Sequence, residues 1–303
     1  MRVVIVGSAG LLGRALQQAF ADCKLSAWTR RDCDVTQPET PRRIAAVEPD
    51  VVVNAAAWTD VDGAEDPRNW PRVQQVNVEG VGNLLQGCEA AGARLVHIST
   101  NEVFPGTPDT LYAEYDPTGP VNAYGRSKAG GEALLAPHLD RHLLVRVSWL
   151  FGPGGDHFPA KIARAADRFP ELNVVSDEIG RPTYTIDAAR RIRQLVHEGA
   201  AGIFHVANAG IVSRYAWACQ VLQATGRTTA VHPIPGHEWK RAAPVPRHAV
   251  LVDSRMQARQ LAPLPPCQDA LRRLVALAEP WVSPDRAPRC SILPGRPGAS
   301  CML

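Results

Sequence analysis

Long apolar runs are missing from this chain of 303 residues. Its most hydrophobic opening, MRVVIVGSAGLLGRAL, is broken by glycines and Arg14 well short of the ~20 residues that a membrane span requires. That opening follows the grammar of strand, turn and helix, which a secretory leader would not have. Cysteines in pairs are missing too: the 7 present are scattered, odd in number and without CxxC spacing, so neither a thiolate metal site nor a disulfide framework is expected. Reduced thiols in a cytoplasmic protein are the expectation. An excess of charge of either sign is absent, at net +3, which gives no support for nucleic-acid or membrane partners. The closing CML places its cysteine one position too late for prenylation. No metal is assigned from the 9 histidines.

What the chain does have is a series of short, continuously apolar segments, RVVIV, LSAW, DVVVNAAA, RLVHIST and HLLVRVSW, separated by stretches long enough for helices. Runs that do not alternate suit strands buried on both faces, so the fold expected is α/β, a Rossmann-type doubly wound parallel sheet. Helices are expected after Gly10, around QQVNVEGVGNLLQGCEAAG and from Ala123 to Leu135. Beyond residue 150 the texture becomes irregular, with one further strand, GIFHVAN. The expected organisation is a dinucleotide-binding domain over 1–150 and a smaller mixed α/β substrate lobe over 151–280, with segments returning to the Rossmann core. A disordered Pro-rich tail is expected over 281–303.

VVIVGSAGLLGRAL sets Gly7, Gly10 and Gly13 between the first strand and the first helix. Glycines there let the backbone approach a pyrophosphate, whose charge a helix N-terminus favours. Gly7, Gly10, Leu11, Leu12 and Gly13 are therefore candidates for cofactor contact. At the end of the second strand, AWTRRDCDVT offers Arg30 and Arg31 where NAD-specific sites carry an acid for the ribose 2′-hydroxyl. NADPH is favoured through Arg30, NADH stays open, and Asp34 is placed near the adenine.

In NAYGRSKAGGE, Tyr124 and Lys128 stand four residues apart, on one face of a helix. An ammonium beside a phenol lowers the phenol's pKa, and the same lysine can hold the nicotinamide ribose. Upstream, Ser99 and Thr100 end a buried strand where a substrate carbonyl would sit. The constellation reads as ketone reduction: Thr100 orients the carbonyl, Tyr124 protonates the forming alkoxide, and Lys128 tunes Tyr124.

Together these motifs resemble the extended short-chain dehydrogenase/reductase family and, within it, the dTDP-4-dehydrorhamnose reductases, from residue 1 to about residue 260. VVVNAAAWTDVDGAED, VNVEGVGNL, STNEVFPGT, LLVRVSWLFGPGGDHF and VVSDEIGRPTYTIDAA carry the likeness. The resemblance implies NAD(P)H-dependent reduction of the 4-keto group of a dTDP-4-keto-6-deoxyhexose. It also implies that Asn54, Ala55, Ala56 and Ala57 line the cofactor groove with Ser99, that Asn77 supports the site, and that Trp149 faces substrate. A homodimer is a further expectation.

Three departures bear on the substrate. The family's STDYVF is here STNEVF, with Asn101 for an acid and Glu102 for a tyrosine; its RPxxSxL is here VPRHAVL, where Arg247 is the candidate to replace the missing arginine; and the Pro-rich tail extends past the family's usual end. Two other readings stay open: reduction of another nucleotide-linked keto-deoxysugar, and a non-catalytic NADP-binding relative like the regulatory subunit of methionine adenosyltransferase. Asp60, Asp62, Glu65 and Asp66 are read as a solvated acidic loop, with Mg²⁺ undecided. Arg190, Arg191 and Arg193 are read as the solvent face of a helix.

Overall fold

The computed structural model describes residues 1–277 and 300–302. Six parallel strands form the main sheet: β1 (Arg2–Val6), β2 (Lys24–Trp28), β3 (Val51–Asn54), β4 (Arg94–Thr100), β5 (Leu143–Val147) and β7 (Gly202–His205). A separate strand, β6 (Glu171–Val175), falls between β5 and β7 in the chain. The order across the main sheet is β7-β5-β4-β3-β1-β2. After β2 the chain crosses back over β1 to lay β3 on its other side, so the carboxyl ends of β1 and β3 open a crevice at a topological switch point, where such folds bind ligands.

Alternate residues of β1 explain its lack of alternation in polarity. Val3 and Ile5 enter one core with Leu12, Leu16 and Ile192, whereas Val4 and Val6 enter another with Ile44, Leu84 and Leu85. The first core lies under α1 (Leu11–Ala19) and α6 (Thr185–His197), and the second under α2 (Thr40–Val47), α3 (Gly80–Ala91) and α4 (Ala123–Leu135). Both faces of the sheet are thus covered, as a parallel sheet needs. α2 starts with Pro41 in its first turn, where a missing N–H costs nothing. α3 is preceded by a π-helical turn, Gln75–Glu79, which no sequence periodicity announces.

The later half builds a third core. Ile162, Leu172, Val174, Trp217, Val221 and Leu271 pack together between β6 and the helices α5 (Phe158–Ala166), α7 (Arg214–Ala224) and α8 (Cys267–Ala276). β6 pairs in parallel with β8 (Ala230–Ile234) on one side and with β9 (Ser300–Met302) on the other. The tail expected to be disordered lies outside the described residues, except at 300–302, where the chain is a strand. GIFHVAN leaves this later half altogether: as β7 it pairs with β5 at the edge of the main sheet. One helical expectation needs correction. Arg191 does not face solvent but is buried, with its guanidinium donating to the Ala262 carbonyl at 2.6 Å.

Candidate active site

The glycine turn is shaped by close backbone packing. Gly7 has φ +79, and a Cβ there would come within 2.5–2.7 Å of the Ala55–Ala56 backbone. A Cβ on Gly13 would run into the Gly7 carbonyl and the Ser8 backbone, whereas one on Gly10 would meet only the Gly7 carbonyl, at 3.2 Å. Gly7 and Gly13 therefore let β1, β3 and α1 close up, and Gly10 keeps the mouth of the turn open. No side chain caps α1, so its first N–H groups are free of a side-chain acceptor and fit a phosphate. Leu12 is buried in the core, which leaves only its backbone for the crevice, while Leu11 is half-buried. Arg14 clips the loop after β5 over this turn, donating to the Gly154 carbonyl at 3.0 Å.

At the end of β2 no carboxylate waits for a ribose. Asp32 turns back and accepts from the Thr29 N–H at 2.8 Å. Asp34 accepts from the Thr36 hydroxyl at 2.8 Å, Arg30 at 3.2 Å and Arg72 at 3.1 Å, and these bonds overcome partial burial to hold its carboxyl down at about 2. Arg30, 73% exposed, and Arg31 are the charges left facing outward, which fits a 2′-phosphate.

Asn77, on the π-turn, ties this crevice to α4. Its side-chain oxygen accepts from the Trp58 N–H at 2.9 Å, and its amide donates to the Ser127 hydroxyl at 2.8 Å, which in turn donates to the Tyr124 carbonyl at 2.7 Å. Ala55, Ala56 and Ala57, half-buried, lie between Asn54 and that anchor. α4 can lie this close because Gly131 stands over the Asn77 carbonyl with no side chain. Asn122 caps the helix by accepting from the Gly125 N–H at 2.7 Å.

Thr100, at the end of β4, lies close enough to the Tyr124 phenol to act on its pKa, so the two hydroxyls expected to act on one carbonyl are together. The lowering of the phenol's pKa by Lys128 is not what the structure shows. Burial pushes the Tyr124 phenol up, the nearby Glu102 carboxylate pushes it further, and only the neighbouring Thr100 hydroxyl opposes them. Lys128 reaches instead toward β4, donating to the Ile98 carbonyl at 2.8 Å with its Nζ 3.3 Å from His97 Nε2. Burial depresses the Lys128 ammonium to about 8 against the pull of Glu132. Ser99 lies behind the strand, buried, with its hydroxyl donating to Glu132, which Arg146 holds in a two-point ion pair. Asn54 is buried and faces His97 Nδ1 at 3.0 Å.

On the sugar side, Trp149 adopts a left-handed φ of 45 and is only half-buried. Its ring is clasped between the Arg214 guanidinium, 3.6 Å from the ring centroid, and Gly180, where a Cβ would come within 2.6 Å. Asn101 is buried, donating to the Ala249 carbonyl at 3.3 Å, so it anchors the VPRHAVL segment against the end of β4. Arg247 of that segment is 53% exposed and pairs with Asp177 at 2.7 Å. Glu102 is half-buried and accepts from Asn122 at 2.7 Å; its partial removal from water raises its pKa, with the Asn122 hydrogen bond, Arg214 and Arg241 opposing. The sequence signalled neither Arg214 nor the link from His97 to Lys128, since both depend on segments far apart in the chain.

The acidic loop is exposed at Asp60 and Asp62, as expected of a solvated loop, and its carboxylates also hold local bonds. Asp60 accepts from the Gly63 N–H, Asp62 pairs with Arg241 at 3.0 Å, Glu65 accepts from the Ala123 N–H, and Asp66 pairs with Arg68 at 2.6 Å. His138 and His142 stand four residues apart, but His142 Nδ1 accepts from the Leu95 N–H and His138 faces Glu89. Among the described residues no group of three or more His, Cys, Asp or Glu could hold a metal ion, and no helix is long and apolar enough to cross a membrane.

A switch-point crevice with a glycine turn at one lip and a Thr–Tyr pair above a buried lysine at the other defines a Rossmann-fold protein of the extended short-chain dehydrogenase/reductase type. Comparison with known proteins narrows the class: the family described as the RmlD substrate binding domain matches residues 1–279, and the chain belongs to it. It is 41% identical over 282 residues, 91% of this chain and 85% of the relative, to a dTDP-4-dehydrorhamnose reductase of Mycolicibacterium smegmatis. A Streptomyces antibioticus protein named as a probable dTDP-4,6-dihydroxy-2-methyloxan-3-one 4-ketoreductase is 37% identical over 278 residues, 90% of this chain and 94% of the relative. Among solved structures, dTDP-4-dehydrorhamnose reductase from Bacillus anthracis in complex with NADP superposes with a TM-score of 0.87 at 29% identity, covering 91% of this chain and 99% of that one.

Proposed function

We propose that this chain is an NADPH-dependent 4-ketoreductase of a dTDP-4-keto-6-deoxyhexose, producing dTDP-L-rhamnose or a close relative. The observation that carries the reading is the Thr100–Tyr124 hydroxyl pair at the switch-point crevice, in a chain 41% identical to a named dTDP-4-dehydrorhamnose reductase. The first N–H groups of α1, Gly10 and the outward charges of Arg30 and Arg31 would hold the dinucleotide, which when bound supplies hydride. Asn54, Ala55, Ala56 and Ala57 would wall the nicotinamide half and Lys128 would reach its ribose.

Thr100 then orients the carbonyl oxygen, and Tyr124 gives its phenolic proton to that oxygen as charge develops. The upward shift of Tyr124 suits this role. A phenol protonated across the neutral range is always charged with its proton, and an alkoxide is basic enough to take it. Trp149, clasped by Arg214, would present a face to the sugar, with Asn101 and Arg247 framing the sugar-nucleotide from the VPRHAVL side. The enzyme is expected to work in the cytoplasm as a homodimer, and Mg²⁺ is given no step.

A second reading, reduction of another nucleotide-linked keto-deoxysugar, rests on Asn101 and Glu102 beside the reacting pair and on the Streptomyces relative. NADPH oxidation measured against a panel of dTDP-4-keto-6-deoxy sugars separates the readings by which substrate turns over fastest. NADPH binding with no turnover on any of them would instead establish a non-catalytic binding protein.

A further inference from the structure

The hydrogen bonds around His97 fix more than its position. The Ala56 N–H donates to Asn54 Oδ1 at 3.1 Å, so the Asn54 amide is oriented and its NH₂ points at His97 Nδ1, 3.0 Å away. Nδ1 is therefore the acceptor. His97 is completely buried, which drives its pKa well below the ordinary range, with Lys128 adding to the effect; the ring is neutral and carries its one proton on Nε2. That N–H faces Lys128 Nζ at 3.3 Å, while Nζ donates to the Ile98 carbonyl. An ammonium has only donors and would set N–H against N–H. An amine can donate to Ile98 and accept from His97 with its lone pair.

We propose that His97 is a positioning residue that holds Lys128 as a neutral amine in the cofactor-free site at mildly alkaline pH, and that under those conditions Lys128 takes up a proton when the dinucleotide binds. The second half rests on the cofactor reading given above: ribose hydroxyls and the Tyr124 phenol offer acceptors that an ammonium can use, so the amine binds one solvent proton as it leaves His97. The other ionisable group acting on Lys128 is Glu132, one turn further along α4, which favours the ammonium but is itself held by Arg146 of β5. Tyr124, one turn earlier, is neutral. The depression of Lys128 to about 8 runs in the direction of the bonding pattern and makes the amine the majority form above that pH.

Two measurements test this, and they fail separately. In cofactor-free protein labelled with ¹⁵N-histidine, the His97 nitrogen shifts should step near pH 8 as Lys128 titrates, and on the alkaline side of that step the ring should be the Nε2–H tautomer. The signal is recognised by its loss in His97→Gln or by its displacement in Lys128→Met, where the step should vanish. An Nδ1–H tautomer or an imidazolium overturns the assignment, whatever the cofactor does. Calorimetry of NADPH binding in buffers of different ionisation enthalpy should show uptake of about one proton per site near pH ~9 and almost none near pH ~6.5. His97→Gln, whose carbonyl accepts from an ammonium, should abolish the uptake at the higher pH while leaving binding measurable. Equal uptake in both proteins, or none in the unmodified one, overturns the proton-coupling half. Absence of NADPH binding overturns that half and the cofactor reading together.

Discussion

The floor of the crevice and its rim are built differently. On the floor, Gly7, Gly13, Asn54, Asn77, Thr100 and Tyr124 are each fixed by backbone contact or by bonds within the fold, and little of any of them could move alone. At the rim, Arg30 and Arg247 are mostly exposed and each is held by one carboxylate, Asp34 and Asp177 respectively. Exposed ion pairs of this kind contribute ~0–1 kcal/mol, so the rim can be redrawn by a single substitution that the floor would not tolerate. The difference locates where chemistry and selectivity reside: the floor fixes the reaction and the rim sorts what is presented to it.

Substitutions can break that contrast, beginning with the floor. Tyr124→Phe removes the proton donor and should lower kcat by about 10²–10⁴-fold, with cofactor affinity nearly unchanged; retention of most of kcat would remove Tyr124 from its role. Gly13→Ala drives a methyl into the Gly7 carbonyl and should destabilise the fold by roughly 1–3 kcal/mol. Gly10→Ala, with its looser contact, should leave thermal stability almost intact and weaken NADPH instead. Denaturation midpoints and cofactor titrations of the two variants separate shape from binding, and similar loss of stability in both would erase the distinction. At the rim, Arg30→Ala should weaken NADPH by about tenfold, the worth of one charge-assisted hydrogen bond, while NADH changes far less. Equal loss for both would reverse the cofactor preference. Smallest is Arg247→Ala, which gives up an exposed pair with Asp177 and should shift stability by less than ~1 kcal/mol. A rise in KM for the sugar nucleotide without a fall in kcat would place Arg247 at the substrate, whereas no kinetic change would leave it as surface charge.

The same division governs what could be read from the sequence. The sheet was legible because strands buried on both faces are written as unbroken Val, Ile and Leu, and α4 because Tyr124 and Lys128 stand at helical spacing. Thr100 and Tyr124 could be paired from motif alone. The direction of Lys128 could not, since a helix face fixes where a side chain starts and not which of several acceptors it reaches. His97 is a core histidine that also bridges Asn54 to Lys128, a contact made only when two strands and a helix assemble. Arg191 was misjudged because its acceptor, the Ala262 carbonyl, belongs to a distant loop.

The π-turn at Gln75–Glu79 shows how tightly a local irregularity can be coupled to a distant group. A turn of this kind is a helix that has absorbed one surplus residue, so the segments on either side keep their alignment and only the residues within it are displaced. Shortening the chain by one residue there would restore an ordinary helix and spare the packing around it, yet it would carry the Asn77 amide away from Trp58 and Ser127. A chain shortened in this way would keep its helices and lose the brace on the wall of its cleft.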